Sequence, residues 1–384
     1  MNCQTGTVTC SNISSTIANL SLNFAYMNPA TIQPPLVPQV KGLIVLHGGG
    51  GGTSPESFEL ADAYFKAGYE VVQLAWSDDW EMTSDPFTGP ANIQQAACRP
   101  ATFFNYVFTT LFPNVLSANS QAGMCALGDS AGSAAVAYSL AYYGAGSYLD
   151  NVELLSGPVL SNIEQGCQVN SSGGFDSPVT VCGQTNYQGG QYGCALGTGG
   201  STWTLGPEYV SGAQTAVGKW TNDNSCAGSG ATTSGSNTAW LNQSIVDQSS
   251  GGAGQGAVPT FNYPYTAMSA WLCRSVVDDV NGVSYNCAAT NNGNSNYCPN
   301  NSSSQGQIFY ENIGVNNSPP HYAVYAVDNC VTAEGVGAGN VPGYAPAVFN
   351  GTISGFNAIV DDMVGYTSRT TEIPPQCVRR NHSQ

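Results

Sequence analysis

The pentapeptide Gly128-Asp-Ser-Ala-Gly132 carries the strongest chemical signature in the sequence. It fits the pattern G-x-S-x-G, in which a serine occupies a sharp turn between a strand and a helix and exposes its hydroxyl oxygen as a nucleophile. The apolar run Met124 to Leu127 precedes the motif and a run of small residues follows it, as this turn requires. We therefore predict that Ser130 is a nucleophile. An ordinary helix-capping serine is the alternative.

A second motif, His47-Gly-Gly-Gly-Gly-Gly52, follows another apolar run. Acyl transfer needs backbone N–H groups aimed at the developing oxyanion, and glycines let the main chain approach a substrate with no Cβ in the way. We predict oxyanion donors at Gly49 and Gly50, joined by the N–H of Ala131 after the nucleophile. A phosphate-binding loop is the alternative, but no lysine follows the glycines as a P-loop needs. We expect His47 to hold this loop rather than to act as a base.

Together the two motifs resemble those of the hormone-sensitive-lipase-like esterases of the α/β-hydrolase superfamily. The resemblance covers about residues 41–157 and, loosely, the end of the chain. It implies an α/β-hydrolase fold, hydrolysis of carboxylic esters through an acyl-enzyme, and a triad in the chain order serine, acid, histidine. The chain departs from the family by lacking its usual acid and histidine motifs and by carrying a cysteine-rich insertion, as a secreted, disulfide-bonded branch would.

The general base must be chosen among three histidines. In the chain order that the resemblance implies, His47 comes too early, which leaves His321 and His382. Functional residues lie at the carboxyl ends of parallel strands, and His321 comes directly before a predicted strand. We therefore predict His382 as the base, with His321 as the alternative. The alternative interpretation of His382 is a disordered tail.

The acid of the triad is predicted by the same argument. Asp328 directly follows the predicted strand Tyr322 to Val327, at the favourable edge of the sheet. It would orient the imidazole and stabilise its cation. Three other carboxylates remain alternatives: Glu334, Asp278 and Asp279.

Aromatic residues are the main indication of the substrate. Trp76 and Trp80 follow the end of a predicted strand, and we predict that they line the substrate pocket. Acetyl or feruloyl esters of plant walls, or polyesters, would suit such a pocket. The motifs imply no metal and no organic cofactor. A serine peptidase of the same fold and a catalytically inactive α/β-hydrolase that serves as a binding module are the functional alternatives.

The strands and helices that must position these residues alternate along the sequence. Buried strands are predicted at 41–47, 69–76, 123–128 and 151–155, and helices at 56–67, 91–111 and 130–143. This pattern is typical of a parallel sheet with helices on both faces. Residues 1–157 and 306–384, with a strand at 322–327 and a helix at 355–366, are predicted to form the α/β-hydrolase core. Residues 158–305 are predicted to be a disulfide-rich cap.

Charge excludes several classes of partner. Only 8% of the 384 residues are charged, and 24 acidic against 8 basic residues leave a net charge of -16. Nucleic-acid binding needs a basic footprint, and docking on anionic lipid needs positive charge. No apolar run approaches the ~20 residues of a membrane span. We expect a monomer that acts on a small-molecule or polymeric ester.

The 13 cysteines indicate disulfides, because they show neither Cys-x-x-Cys pairs nor zinc-site spacing. This favours a secreted or periplasmic protein whose signal peptide has been removed. Since the number is odd, one cysteine should stay unpaired, and we predict Cys125, inside an apolar run. A bridge from Cys330 to Cys377 would tie the predicted acid to the predicted base.

Overall fold

The computed structural model of the chain describes residues 2–10, 19–80, 93–129, 131–155, 194–197, 200–203, 263–273, 322–327, 354–367, 372–380 and 382. A central sheet holds eight strands: β1 Asn2–Val8, β2 Leu20–Met27, β3 Gly42–His47, β4 Glu70–Trp76, β5 Gly123–Asp129, β6 Asn151–Leu155, β9 Ala267–Cys273 and β10 Tyr322–Val327. Two small antiparallel pairs complete the strands: β7 Cys194–Gly197 with β8 Gly200–Trp203, and β11 Tyr366–Thr367 with β12 Glu372–Ile373.

Helices cover both faces of the central sheet. They are α1 Phe58–Lys66, α2 Ile93–Ala96, α3 Cys98–Tyr106, α4 Phe112–Ala118, α5 Ala131–Tyr143 and α6 Ser354–Val364, with a π-turn at Val107–Leu111 joining α3 to α4. Side chains of α3, α4 and α5 pack in the core on one face. Those of α1 and α6 pack in the core on the other. No helix among the described residues is long and apolar enough to cross a membrane.

The strand order in the central sheet is β1-β2-β4-β3-β5-β6-β9-β10. The pairs formed by β4, β3, β5, β6, β9 and β10 are parallel, whereas β2 is antiparallel to both β1 and β4. The α/β-hydrolase fold predicted from the sequence is confirmed. Because the six strands are parallel, their carboxyl ends lie along one edge of the sheet, which we call the carboxyl edge, and their starts lie along the opposite, amino edge.

The neighbouring strands β3 and β5 carry continuous apolar runs because helices cover them on both sides. Residues Leu43 to Leu46 of β3 are fully buried, as are Met124 to Leu127 of β5. Helix α5 is built largely from alanine and other small residues, and its residues Ala134 to Ala137 are fully buried. Small side chains let this helix lie close to β5, which fixes the position of its first turn.

The boundaries of the predicted cap differ from the structure at one strand. β9 lies within the range 158–305 assigned to the cap, yet it pairs with β6 and β10 in the central sheet. The core therefore resumes before residue 305. Apart from β7, β8 and residues 263–273, the predicted cap lies outside the described residues.

The C-terminal segment is bonded to the amino edge of the sheet and corrects two cysteine predictions. Cys125 in β5 forms a disulfide with Cys377 and so is not the unpaired cysteine. The predicted bridge from Cys330 to Cys377 is excluded for the same reason. An antiparallel bridge between Ala122 and Val378 lies beside the disulfide and brings the segment to β5. Among the cysteines whose side chains the structure describes, Cys3 on the exposed strand β1 is free, and Cys10 pairs with Cys98.

Removing the Cys125–Cys377 bridge is expected to lower the free energy of unfolding by ~2–5 kcal/mol. The bridge joins residues 252 apart in sequence, so it restricts the unfolded chain over a long loop. Urea unfolding of the double variant Cys125→Ala/Cys377→Ala measures the effect. Cys3→Ser is the matched control, because its thiol is free and exposed. Equal stability of the double variant and the control would contradict the prediction.

Candidate active site

The predicted nucleophile lies at a sharp junction between strand and helix. Asp129 ends β5 and Ala131 begins α5, so Ser130 is the one residue between them, although it lies outside the described residues. A Cβ built on Gly128 would lie 2.7 Å from the nitrogen of Ser133. A Cβ on Gly132 would overlap the carbonyl oxygen of His47. Both flanking positions therefore accept only glycine, which is the packing that a nucleophile turn needs.

The run of glycines from Gly48 to Gly52, which we call the glycine turn, lies beside this junction at the carboxyl edge. β3 and β5 are parallel neighbours, and His47 is in register with Gly128. After Gly49 the chain makes a 3₁₀ turn over Gly50–Gly52, closed by the Gly52 N–H donating to the Gly49 oxygen at 2.9 Å. The φ angles of Gly51 and Gly52 are +75° and +72°, in the left-handed region that favours glycine. The structure thus brings Gly49, Gly50 and the start of α5 to one place. Their use as oxyanion donors stays a prediction.

His47 is fully buried at the end of β3, and hydrogen bonds engage both of its ring nitrogens. The Trp76 indole N–H donates to Nε2 at 3.0 Å, so Nε2 carries no proton. Nδ1 lies 3.0 Å from the Gly48 carbonyl oxygen and therefore carries the proton and donates it there. Burial lowers the pKa of His47 to about 4, which keeps the ring neutral. These contacts agree with the expectation that His47 holds the loop; that it does not act as the base stays a prediction.

Trp76 and Trp80 pack around His47 and are core residues. Trp76 is 2% exposed and Trp80 is fully buried. The Trp80 backbone N–H donates to the Gly51 carbonyl oxygen at 3.0 Å, and this hydrogen bond joins the chain after β4 to the glycine turn. The Trp80 ring lies edge-on to His47 at 6.3 Å between centroids. Both tryptophans are thus core residues beside the glycine turn. That they also contact a substrate stays a prediction.

His382 lies at the amino edge, bonded to Asp150. Its Nε2 is 3.0 Å from Oδ1 of Asp150, and the same oxygen accepts the Arg380 N–H at 2.6 Å. The other carboxylate oxygen accepts the N–H of Met124, near the start of β5, at 2.8 Å. Met124 is separated from Asp129, at the nucleophile end of the strand, by roughly 17 Å of extended chain. The structure does not bring His382 to Ser130, which corrects its prediction as the base.

The other predicted triad residues lie outside the described residues. Asp328 directly follows β10, and His321 directly precedes it. His321 as the alternative base stays a prediction. Asp328 as the acid stays a prediction, as do its alternatives Asp278, Asp279 and Glu334.

Buried carboxyl groups are the part of the structure that the sequence analysis missed. Glu153 in β6 is fully buried and accepts the Tyr64 hydroxyl at 3.2 Å, and Asp362 of α6 accepts the hydroxyl of Ser269. Burial and the neighbouring Asp362 charge raise the pKa of Glu153 well above its usual value. A glutamate between the apolar residues Val152 and Leu154 was the available signal. We call Tyr64, Glu153, Ser269 and Asp362 the buried acid cluster.

The backbone of another buried acid, Glu56, passes close to Gly48: a Cβ on Gly48 would come within 3.4 Å of the Glu56 nitrogen. Burial raises the pKa of Glu56 to about 7, and its Oε1 accepts the Ser57 N–H at 2.7 Å. This carboxyl is therefore largely neutral in mild acid. Among the described residues, no group of three or more His, Cys, Asp or Glu side chains could hold a metal ion.

No protein-family model and no curated protein matches the chain. Solved structures do match, at low similarity. An esterase from Pyrococcus furiosus has 10% identity and a TM-score of 0.38, over 85% of this chain and 81% of that one. Est1E from Butyrivibrio proteoclasticus has 13% identity and a TM-score of 0.27, over 41% and 56%. A dienelactone hydrolase from Anabaena variabilis has 17% identity and a TM-score of 0.25, over 40% and 64%.

Proposed function

We propose that the protein is a serine hydrolase of carboxylic esters. The observation that carries the proposal is the register between His47 and Gly128, which sets the glycine turn beside the strand–helix junction of Ser130. A nucleophile and backbone N–H donors at one edge are what attack on a carbonyl carbon requires.

In the proposed reaction, Oγ of Ser130 attacks the ester carbonyl carbon while a general base takes its proton. The oxyanion accepts hydrogen bonds from the N–H of Ala131 and from N–H groups of the Gly49–Gly50 turn. Collapse expels the alcohol and leaves an acyl-enzyme, which water then hydrolyses. Loss of one oxyanion donor would raise the barrier by ~2.7–4 kcal/mol.

The substrates that we propose are uncharged esters, among them acetyl and feruloyl esters of plant walls and polyesters. The net charge of -16 disfavours anionic substrates throughout the approach to the site. We also propose secretion, which the disulfides Cys10–Cys98 and Cys125–Cys377 support.

A paired-substrate assay tests the proposed reaction. We expect the protein to hydrolyse 4-nitrophenyl acetate and to leave the matched amide, 4-nitroacetanilide, intact. A fluorophosphonate probe is expected to label one serine, located by mass spectrometry in the peptide that contains residues 128–132. Cleavage of the anilide at a comparable rate would indicate a peptidase-like amidase. A folded protein that cleaves no ester and takes no label would overturn the proposal.

A further inference from the structure

Trp76 and His47 form a hydrogen-bonded pair beneath the glycine turn. Trp76 is the last residue of β4 and His47 the last residue of β3, and these strands are parallel neighbours. The indole N–H has no acceptor capacity, so the 3.0 Å contact to Nε2 requires Nε2 to be the unprotonated ring nitrogen. Since the ring is neutral, its single proton must be on Nδ1.

The proton on Nδ1 orients the first peptide of the glycine turn. Nδ1 donates to the Gly48 carbonyl oxygen at 3.0 Å, which turns that oxygen toward the buried ring. In a trans peptide the carbonyl and the following N–H point in opposite directions. The N–H of Gly49 therefore points away from the buried ring, as a donor to a bound oxyanion must.

Close packing leaves this arrangement little freedom. A Cβ on Gly52 would lie 2.6 Å from Cε1 of His47 and 2.8 Å from Cδ1 of Trp76, so the turn closes directly over the pair. On the other side, a Cβ on Gly132 would come within 3.0 Å of the Gly48 oxygen. The Gly48–Gly49 peptide is thus held between the His47–Trp76 pair and the first turn of α5.

We propose that Trp76 is a positioning residue: by donating to Nε2 of His47 it holds the Nδ1–H form of the ring, which aims the Gly49 N–H at the substrate oxyanion. This role rests on the proposed ester hydrolysis. Without the indole donor the proton can move to Nε2. Nδ1 would then present a lone pair to the Gly48 oxygen, and their repulsion would turn the peptide away from its productive orientation.

Trp76→Phe tests the kinetic consequence, because phenylalanine keeps an aromatic ring and removes the N–H. We expect kcat for 4-nitrophenyl acetate to fall about 10–100-fold, less than the loss of a whole oxyanion donor, while KM stays within about twofold. Tyr106→Phe is the matched control. Tyr106 lies in the same aromatic cluster, stacked on Phe103, and its hydroxyl makes only a 3.5 Å contact to Gln4. An active Trp76→Phe enzyme with unchanged kcat would overturn the proposal.

Nitrogen NMR of the histidines tests the ring directly and needs no activity. The chain has three histidines and therefore six ring nitrogens, which a long-range ¹H–¹⁵N spectrum detects. The two signals that are absent from the spectrum of a His47→Gln variant belong to His47. We expect wild-type His47 to show protonated Nδ1 and unprotonated Nε2 from pH 5 to pH 8. Trp76→Phe should shift this ring toward the Nε2–H form or toward protonation in that range.

The two readouts separate the two proposals. A wild-type ring with the proton on Nε2 would overturn the role of Trp76, whether or not the protein hydrolyses esters. A wild-type ring in the Nδ1–H form, in a folded protein that hydrolyses no ester, would overturn the proposed function. In that outcome the hydrogen bond between Trp76 and His47 would only stabilise the fold, and Trp76 would have no positioning role in catalysis.

Discussion

Ser130→Ala is expected to lower kcat for 4-nitrophenyl acetate on the order of 10⁶-fold. The strand–helix junction between Asp129 and Ala131 offers one hydroxyl, and an alanine there leaves nothing to form the acyl-enzyme. The rate that remains should come from the oxyanion donors and from substrate binding alone. Initial rates, normalised to active sites by fluorophosphonate titration of the wild type, measure the loss.

Ser139→Ala is the matched control on the same helix. Ser139 is fully buried, and its hydroxyl donates to the Ala135 carbonyl oxygen within α5. We expect its activity to stay within about twofold of the wild type. Full activity in Ser130→Ala would show that another residue is the nucleophile. Equal losses in both variants would mean that disruption of α5, rather than chemistry, explains the result.

The placement of His382 is tested in the same assay. His382→Ala is expected to retain ester hydrolysis, because this side chain is bonded to Asp150 at the amino edge. Its loss should instead lower stability, since it removes one of the hydrogen bonds that hold the C-terminal segment against β6. An inactive, fully folded His382→Ala protein would contradict this placement and restore His382 as the base.

The free energy of unfolding is expected to fall by several kcal/mol between pH 5 and pH 8. Burial raises the pKa values of Glu56 and Glu70 from 4.5 to about 7, and burial beside Asp362 raises the pKa of Glu153 well above its usual value. A carboxyl whose folded pKa is raised binds more protons in the folded state, so its stabilisation is complete below pH 4.5 and lost as the pH rises through 7. Each of Glu56 and Glu70 contributes up to about 3 kcal/mol.

One group opposes this trend in part of the range. Burial lowers the pKa of His47 from 6.5 to about 4, so the folded state binds fewer protons than the unfolded state between these values. Its stabilisation is therefore present above pH 6.5 and lost toward pH 4. This opposition fades as the pH rises toward 6.5, while Glu56 and Glu70 still lose protons up to about pH 7, so the steepest loss of stability is expected between about pH 6 and pH 7. Urea unfolding at intervals of half a pH unit measures the profile.

Glu153→Gln measures how much the buried acid cluster contributes to the pH dependence of the free energy of unfolding. Glutamine keeps an acceptor for the Tyr64 hydroxyl, which lies 3.2 Å from Oε2 of Glu153, but it cannot ionise beside Asp362. We expect this variant to be more stable than the wild type at pH 8 and similar at pH 5, with a flatter profile. Glu59→Gln, at an exposed position of α1, is the matched control and should leave the profile unchanged. A wild-type stability that does not fall between pH 5 and pH 8 would contradict the prediction.

The order of strands and helices could be predicted from the local pattern of apolar residues and glycines. The predicted strands at 41–47, 69–76 and 151–155 are observed at Gly42–His47, Glu70–Trp76 and Asn151–Leu155. The predicted helix at 355–366 is observed at Ser354–Val364. These elements are predictable because apolar runs bounded by glycine depend on neighbours in the chain, which the sequence displays directly.

The two motifs at the carboxyl edge could also be predicted from the sequence. A nucleophile turn needs glycine on both sides of its serine, and a tight turn after β3 needs residues with positive φ. Both requirements act within a few residues, so Gly128, Gly132 and the glycines after His47 are visible without the fold. Their meeting follows from the parallel pairing of β3 with β5. The pattern of strands and helices predicts a parallel sheet but not this order of strands, because β4 lies between the two in the sequence.

The position of the chain's end was decided by tertiary contacts alone. Cys125 pairs with Cys377 over 252 residues, and His382 meets Asp150, so the last described residues lie at the amino edge. The packing of Trp76 and Trp80 around His47 was decided in the same way. Each contact joins residues from separate elements, and its free energy depends on burial and geometry that exist only once the sheet is assembled. Residue type and chain order do not contain that information, so sequence reasoning chose the wrong bridge and a base that the structure does not support.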